Sequence, residues 1–198
     1  PELSRGLGDV YKRQVPEDQK DQAKKIIKEC NVNKDQTYIR INNNSDLEFV
    51  TSEKFPGIFL PFTETKKQLI EIDILLKKTE KLKTDIIPIL ESINGLANLE
   101  EICSFSERIQ IISFGSHDLA KSINLKISED EKEILEFRKN IVNKSKNIKS
   151  PIDTSYLNFK DLNGFEKSCN MVKKLGFGGK ACIPVSYTHL TLPTTRCV

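Results

Sequence analysis

The sequence predicts an α/β protein in which a parallel sheet is covered by outer helices. Three observations lead to this prediction. Strand-like and helix-like segments alternate along the chain, the links between them are short, and several strands are apolar without a polar face. A strand covered on both faces is a continuous apolar run, as in IQIISF at 109–114. The chain has 198 residues, enough for one domain with a core.

Six segments have the composition of strands bounded by turn residues. In chain order they are TYIRIN (37–42), GIFLPF (57–62), DIIPIL (85–90), IQIISF (109–114), PIDTSY (151–156) and KACIP (180–184). Acidic first turns, apolar spacing and capping residues predict helices between them, at 16–30, 45–53, 64–83, 94–103, 128–147 and 161–175. Ser45, the Ser128–Glu131 capping box and Asp161 are the predicted helix starts, and Gly176 is the predicted stop of the last helix.

Alternation alone allows either an open doubly wound sheet or a barrel. Polar residues recur at the carboxyl ends of nearly all the predicted strands, which favours a barrel, because barrel enzymes build their sites from those ends. The GFGG segment at 176–179 lies between a helix and a strand, the wrong order for a dinucleotide-binding loop. The sequence therefore favours a barrel of the (β/α)8 TIM type.

Composition excludes several classes of function. Acidic residues interleave with the lysines and the net charge is only +3, so no nucleic-acid partner is expected. No apolar run approaches the roughly 20 residues of a membrane span. The N-terminus lacks a secretory layout, which makes the cytoplasm the expected location. The five cysteines are scattered without a CxxC motif and are expected to be reduced thiols.

Both ends of the chain match translated sequencing-library adapters. DVYKRQ at 9–14 is encoded by GAT GTG TAT AAG AGA CAG, and VSYTHLTLPT at 185–194 begins with the reverse complement of that adapter in another frame. We therefore expect 1–14 and 185–198 to be adapter-derived tails and 15–184 to be a native fragment cut at both ends. Only the first base of the codon for Pro184 need then be native, and a histidine codon begins with the same base.

Three charged residues stand at strand ends. Glu91 follows DIIPIL, Asp118 lies just past IQIISF, and Arg40 lies near the end of TYIRIN. Carboxylates at the ends of adjacent strands would meet above the barrel mouth, where oxygen ligands and water suit Mg²⁺. The planar guanidinium of Arg40 suits a substrate carboxylate. Glu91 and Asp118 are therefore the candidate metal ligands, and Arg40 is the candidate substrate-binding residue of a lyase.

Other polar residues carry weaker signals. His117 adjoins Asp118 and could act in acid–base chemistry, but consecutive side chains diverge, which favours a histidine that points away from the site. Asp153 and Tyr156 could line the mouth or simply bound their strand. An isolated acid is more often a loop residue or a helix cap, and Arg40 could instead make a structural ion pair.

Six motifs together resemble one family, in the order in which that family has them. They are IRIN, GIFLP, PILESINGL, FGSHDLA, IDTSYLNFKDLNGF and LGFGGKACI. They are similar to the citrate lyase beta-subunit and malyl-CoA lyase family of the hydroxy-oxo-acid aldolases, over essentially all of 15–184. The resemblance implies a (β/α)8 barrel and Mg²⁺-dependent cleavage of citryl-, malyl- or citramalyl-CoA into acetyl-CoA and a 2-oxo acid. It also implies that Glu91 and Asp118 bind Mg²⁺ and that Arg40 binds the substrate carboxylate.

The resemblance also identifies departures and a gap. Phe62 stands where the family has lysine, His117 replaces an acid or amide, and Pro184 stands where the family has histidine. The family's first two strands would precede residue 15, so we expect strands three to eight only, an incomplete barrel with two open edges. Such a fragment is expected to be poorly stable and inactive. The expected partners are an acyl-CoA or 2-oxo acid substrate and, at full length, further copies of the chain.

Two other functions stay open. One is a metal-dependent aldolase that acts on a free 2-oxo acid without CoA. The other is a barrel relic that no longer catalyses and serves as a binding subunit, which Phe62 and His117 would allow.

Overall fold

A computed structural model describes residues 17–30, 33–80, 82–145, 150–158 and 160–182. Its strands form one six-stranded sheet in which each strand pairs in parallel with the next. The strands are β1 (Tyr38–Arg40), β2 (Gly57–Leu60), β3 (Asp85–Leu90), β4 (Ser113–Phe114), β5 (Ile152–Asp153) and β6 (Gly179–Lys180). The segments expected to be adapter-derived, 1–14 and 185–198, lie outside the described residues, as does Pro184.

Eight α-helices connect and cover these strands within the described ranges. They are α1 (Lys20–Glu29), α2 (Asn44–Ser52), α3 (Lys66–Thr79), α4 (Ile93–Ala97), α5 (Leu99–Cys103), α6 (Ser116–Ser122), α7 (Leu135–Lys144) and α8 (Leu162–Leu175). Single 3₁₀ turns occupy Glu17–Gln19, Lys34–Gln36 and Lys132–Ile134. None of the described helices is long and apolar enough to span a membrane.

The strand order distinguishes the two architectures that the sequence allowed. A doubly wound sheet reverses its strand order at a switch point, whereas this sheet runs from β1 to β6 in chain order without a reversal. It is a curled, open half-barrel with helices, the arrangement of an incomplete TIM-barrel-type fold. The predicted fold class is confirmed.

The two faces of the sheet are set by the alternation of side chains along β3. Ile86 and Leu90 pack into the main core with the helices. Ile87 and Ile89 alternate with them and line the inner face of the half-barrel, and both are buried. Glu91 continues this inner series one residue past the strand, so the alternation itself carries its carboxyl group to the barrel mouth.

Capping residues bound the last helix, α8, and begin α3. Asp161 caps α8 by accepting a hydrogen bond from the Gly164 amide at 2.9 Å, and Gly176 ends it with a left-handed φ of 106°. Both predictions are confirmed. Helix α3 begins with a capping box between Thr65 and Gln68.

Two predicted caps are wrong. Asn43, not Ser45, caps α2, because the Asn43 side chain accepts from the Asp46 amide. The Ser128–Glu131 box does not form, because Ser128 hydrogen-bonds Glu133 while the Glu131 carboxylate is buried against Ser168 and Arg138. A long-range ion pair outcompetes the local motif at this position.

Several strands are shorter than predicted. Only Ser113–Phe114 of the apolar run at 109–114 joins the sheet, although Ile109 and Ile112 are both buried in the core. Burial of that run was therefore predicted correctly, but its pairing was not. Among the described cysteines, Cys30 and Cys103 are free thiols.

Candidate functional site

The three residues proposed from the sequence lie at the carboxyl ends of neighbouring strands. Arg40 is the last residue of β1, and Glu91 directly follows β3. Asp118 lies in the first turn of α6, which begins two residues after β4. Parallel strands in sequential order bring these ends to one rim of the half-barrel.

The three side chains converge at that rim. The Arg40 Nη2 atom lies 3.9 Å from the Glu91 Oε1 atom, at the outer limit of an ion pair. The carboxyl groups of Glu91 and Asp118 are close enough to share a hydrogen bond, which requires a proton on one of them. The structure therefore brings together two acids and one arginine, drawn from three elements.

Glu91 is held from two sides by backbone. The Phe62 amide donates a hydrogen bond of 2.9 Å to Glu91 Oε2. On the other side lies Gly115, where a Cβ atom would come within 2.3 Å of the Glu91 Cγ atom. Only glycine allows the helix start after β4 to pass this close to the carboxylate.

Burial raises the pKa of Glu91 above its ordinary value. Glu91 is only 3% exposed, and removal from water disfavours its charged form. The Phe62 amide and the charge of Arg40 act in the opposite direction, and the charge and hydrogen bond of Asp118 raise the pKa of Glu91 further. A cation between the two carboxylates would relieve the repulsion that favours the proton.

Arg40 has unused hydrogen-bonding capacity. Its Nε atom is buried and has no partner among the described residues, and its contact with Glu91 is too long for a hydrogen bond. A buried, unsatisfied N–H carries a free-energy cost that an incoming acceptor would remove. A bidentate carboxylate fits the fork of a guanidinium better than a single acceptor does.

The donor set fits a hard divalent cation. No cluster of three or more His, Cys, Asp or Glu side chains suited to a metal exists within the part of the chain that the structure describes. Mg²⁺ does not need one, because it is commonly bound by one or two carboxylates, with water and substrate completing its shell. The Glu91–Asp118 pair matches that requirement.

The weaker candidates make contacts with groups other than Arg40 and Glu91. The His117 Nε2 atom is 3.1 Å from the Ser155 carbonyl oxygen, so the ring contacts the segment after β5 rather than Glu91. Asp153 is fully buried and pairs with Arg138 and Lys180. Tyr156 donates a hydrogen bond to Asp161 at 3.2 Å.

Sequence reasoning missed two parts of the site. The hydrogen bond from the Phe62 amide to Glu91 depends on the left-handed φ of 46° at Phe62, which no residue pattern in the sequence indicates. The role of Gly115 had a signal, because a glycine between a buried strand and a helix often marks a close backbone approach.

A parallel half-barrel with ionisable side chains gathered at the carboxyl ends of its strands has the architecture of a barrel enzyme. The family model "HpcH/HpaI aldolase/citrate lyase" matches residues 16–184, so the chain belongs to this family. The resemblance read from the six motifs is thereby confirmed.

The curated relatives are named as lyases, and the family is one of lyase enzymes. The chain is 26% identical over 145 residues to "Citrate lyase subunit beta" of Haemophilus influenzae, covering 70% of this chain and 50% of the relative. It is 25% identical over 182 residues to the protein of that name from Leuconostoc mesenteroides subsp. cremoris, covering 83% and 60%. It is 26% identical over 196 residues to "Citramalyl-CoA lyase, mitochondrial" of Rattus norvegicus, covering 85% and 58%. The chain thus spans about half to three fifths of the length of these relatives.

Solved structures share the fold. The crystal structure of RipC from Yersinia pestis superposes with a TM-score of 0.74 at 22% identity, covering 92% of this chain and 86% of that one. A citrate lyase from Burkholderia xenovorans gives a TM-score of 0.68 at 11% identity, covering 77% and 54%. At these identities the likeness concerns the fold alone.

Proposed function

We propose that the protein is a Mg²⁺-dependent carbon–carbon lyase that cleaves a 3-hydroxyacyl-CoA into acetyl-CoA and a 2-oxo acid. Citryl-, malyl- and citramalyl-CoA are the candidate substrates. The observation that carries the proposal is the convergence of Arg40, Glu91 and Asp118 at the mouth of the half-barrel. The names of the curated relatives supply the substrate class.

The proposed reaction is a retro-Claisen cleavage. The substrate hydroxyl loses its proton, the bond between the carbinol carbon and the α-carbon of the thioester breaks, and the electron pair forms a thioester enolate. Protonation of that enolate gives acetyl-CoA, and the carbinol carbon becomes the carbonyl of the 2-oxo acid. When bound, Mg²⁺ would act as a Lewis acid toward the oxygen substituents of the substrate.

The residues of this chain would supply binding and orientation. Glu91 and Asp118 would hold the cation, and Arg40 would bind the substrate carboxylate through its free N–H groups. The apolar inner wall formed by Ile87 and Ile89 is buried and would limit access of water to the reacting carbon atoms.

Metal binding is the first test, because it does not require turnover. We expect Mn²⁺, measured by the loss of its free electron paramagnetic resonance signal, to bind to the purified chain and to be displaced by Mg²⁺. E91Q and D118N are each expected to weaken binding by more than about 10-fold, since even loss of a group that only orients a ligand commonly costs about 10–100-fold. Binding that neither substitution changes would refute this cation site.

Cleavage is tested by Mg²⁺-dependent release of a 2-oxo acid from the three CoA esters, in a protein extended to a complete barrel. The same extended protein is offered a free 2-oxo acid with an aldehyde, since activity there without CoA would favour the aldolase alternative. Absence of both reactions in that extended protein would favour a non-catalytic binding subunit. Release of a 2-oxo acid by the 198-residue chain itself would contradict the expectation that it is inactive.

A further inference from the structure

The segment after β2 makes a turn that a bulky residue rarely adopts. Phe62 has a φ of 46°, in the left-handed region that disfavours any residue with a Cβ. The residue is 47% exposed, and its side chain is not part of the core. The ring therefore gives no packing reason for the strained backbone, which leaves the backbone contacts as the feature to explain.

The turn is anchored on both of its sides. The Phe62 carbonyl accepts a hydrogen bond from Gln68 Nε2 at 3.3 Å, while Gln68 Oε1 accepts from the Thr65 amide at 3.0 Å. The next residue, Thr63, is fully buried and its amide donates to the Ile89 carbonyl at 3.2 Å. These contacts fix the peptide plane that presents the Phe62 amide.

That amide acts on one oxygen of Glu91. It donates to Oε2 at 2.9 Å, whereas Oε1 faces the Arg40 guanidinium, 3.9 Å away. The Gly115 backbone prevents the side chain from moving aside, since even a Cβ there would overlap Glu91 Cγ. The two oxygens of Glu91 are therefore not equivalent.

We propose that Phe62 is a positioning residue whose left-handed turn ties up Glu91 Oε2, so that Glu91 offers a cation only Oε1. This inference rests on the cation site of the proposed function and adds how that site selects its metal. Mg²⁺ requires near-ideal octahedral geometry and takes few protein ligands, whereas Ca²⁺ accepts bidentate carboxylates and more oxygen ligands. A glutamate restricted to one oxygen favours the smaller ion.

The test is a matched pair of substitutions at Phe62 that differ in backbone preference. F62N removes the ring but tolerates the left-handed region, and F62V removes the ring but resists it. Affinities for Mg²⁺ and Ca²⁺ are measured by competition against Mn²⁺ in the 198-residue chain. We expect F62N to keep the wild-type ratio of the two affinities and F62V to weaken Mg²⁺ about tenfold with Ca²⁺ little changed.

The ratio separates positioning from general damage, because a less stable protein would lose both ions together. An unchanged ratio in F62V, or an equal change in F62N, would overturn the proposal. If F62V does not fold, Q68A gives a second measurement, because Gln68 is exposed and anchors the Phe62 carbonyl. Q68A is expected to shift the ratio in the same direction by less, and an unchanged ratio would overturn the proposal.

E91Q distinguishes this inference from the proposed cation site on which it rests. If E91Q binds all three ions as the wild type does, the cation site is wrong and the proposed function fails. If E91Q loses Mg²⁺ and F62V keeps the wild-type ratio, the cation site stands and only the role of Phe62 is refuted.

Discussion

Two clusters of ionisable side chains in the described part of the half-barrel differ in how their charges are balanced. At the mouth, the guanidinium of Arg40 lies 3.9 Å from Glu91, and Asp118 is a second acid beside Glu91. A second cluster lies between the outer side of β5 and β6 and the helices α7 and α8. It consists of two acids and two bases, Glu131, Asp153, Arg138 and Lys180.

The second cluster is densely bonded. Arg138 donates to both carboxylate oxygens of Asp153 at 2.9 Å and to Glu131 at 3.0 Å. Lys180 donates to Asp153 at 2.5 Å, and Ser168 donates to Glu131 at 2.6 Å. Although burial acts to raise it, the pKa of Asp153 is lowered, because Lys180 and Arg138 together outweigh that effect.

The difference between the clusters indicates different roles. The buried cluster balances its charges and ties two strands to two helices, which is what a structural ion network does. The mouth cluster has an excess acid and a raised Glu91 pKa, although a buried arginine N–H without a partner occurs in both clusters, at Arg40 Nε and at Arg138 Nη1. Perturbed, incompletely paired groups in a cleft are typical of functional sites.

The largest effect is expected from a substitution that breaks the buried cluster. D153A leaves Arg138 and Lys180 without their shared carboxylate and should reduce the free energy of unfolding by about 3–5 kcal/mol. Urea denaturation, monitored by circular dichroism, measures this loss of unfolding free energy. The control is K139A, next to Arg138 in sequence, where an exposed pair with Glu136 should contribute less than about 1 kcal/mol. A D153A effect no larger than that of K139A would contradict a structural role.

A smaller loss of stability is expected from G115A, which places a methyl group against Glu91 Cγ. Overpacking of this kind should cost about 1–3 kcal/mol. Because the displaced carboxylate loses the Phe62 amide, G115A should also weaken Mn²⁺ binding by about tenfold. D153A, in contrast, should weaken Mn²⁺ binding only to the extent that it unfolds the protein. Intact metal affinity in G115A would show that the rim tolerates movement of Glu91.

The contrast between the clusters explains what the sequence could reveal. Arg40, Glu91 and Asp118 were found because each stands just past or at the end of an apolar run, and the parallel topology then gathers such ends at one rim. The ion network was not found, because Arg138 and Lys180 look like any other cation in a lysine-rich chain.

Glu131 shows why local motifs can mislead. The spacing of Ser128 and Glu131 fits a capping box, but the carboxylate of Glu131 pairs with Ser168, 37 positions away in sequence. A partner at that distance is brought close only by the packing of α8 on the sheet. The strained backbone of Phe62 likewise depends on tertiary contacts, here with Glu91, 29 positions away.

In contrast to D153A and G115A, E91Q is expected to increase the free energy of unfolding. The raised pKa of Glu91 means that its ionised form disfavours the folded state, so a neutral amide of the same shape should increase stability at pH 7. Stabilising substitutions commonly add about 0.5–2 kcal/mol, with loss of function as the recurrent cost where a site needs its strained group. Urea denaturation of E91Q alongside D153N measures the contrast. A loss of stability in E91Q as large as that in D153N would place Glu91 among the structural residues.

The smallest effect is the pH dependence of the stability changes in E91Q and D153N. The direction of that dependence differs between the two clusters. Below the ordinary glutamate pKa of 4.5, Glu91 is protonated in both folded and unfolded chains, so E91Q should gain little. As pH rises, the unfolded chain releases this proton first, and the advantage of E91Q should grow until the folded protein releases it too. For Asp153, whose folded pKa is lowered, stabilisation is complete above 3.8 and is lost as pH falls below it. The loss of unfolding free energy in D153N should therefore be constant from pH 5 to 7 and become smaller in acid. If the gain of unfolding free energy in E91Q does not change between pH 4 and 7, burial does not hold the Glu91 proton.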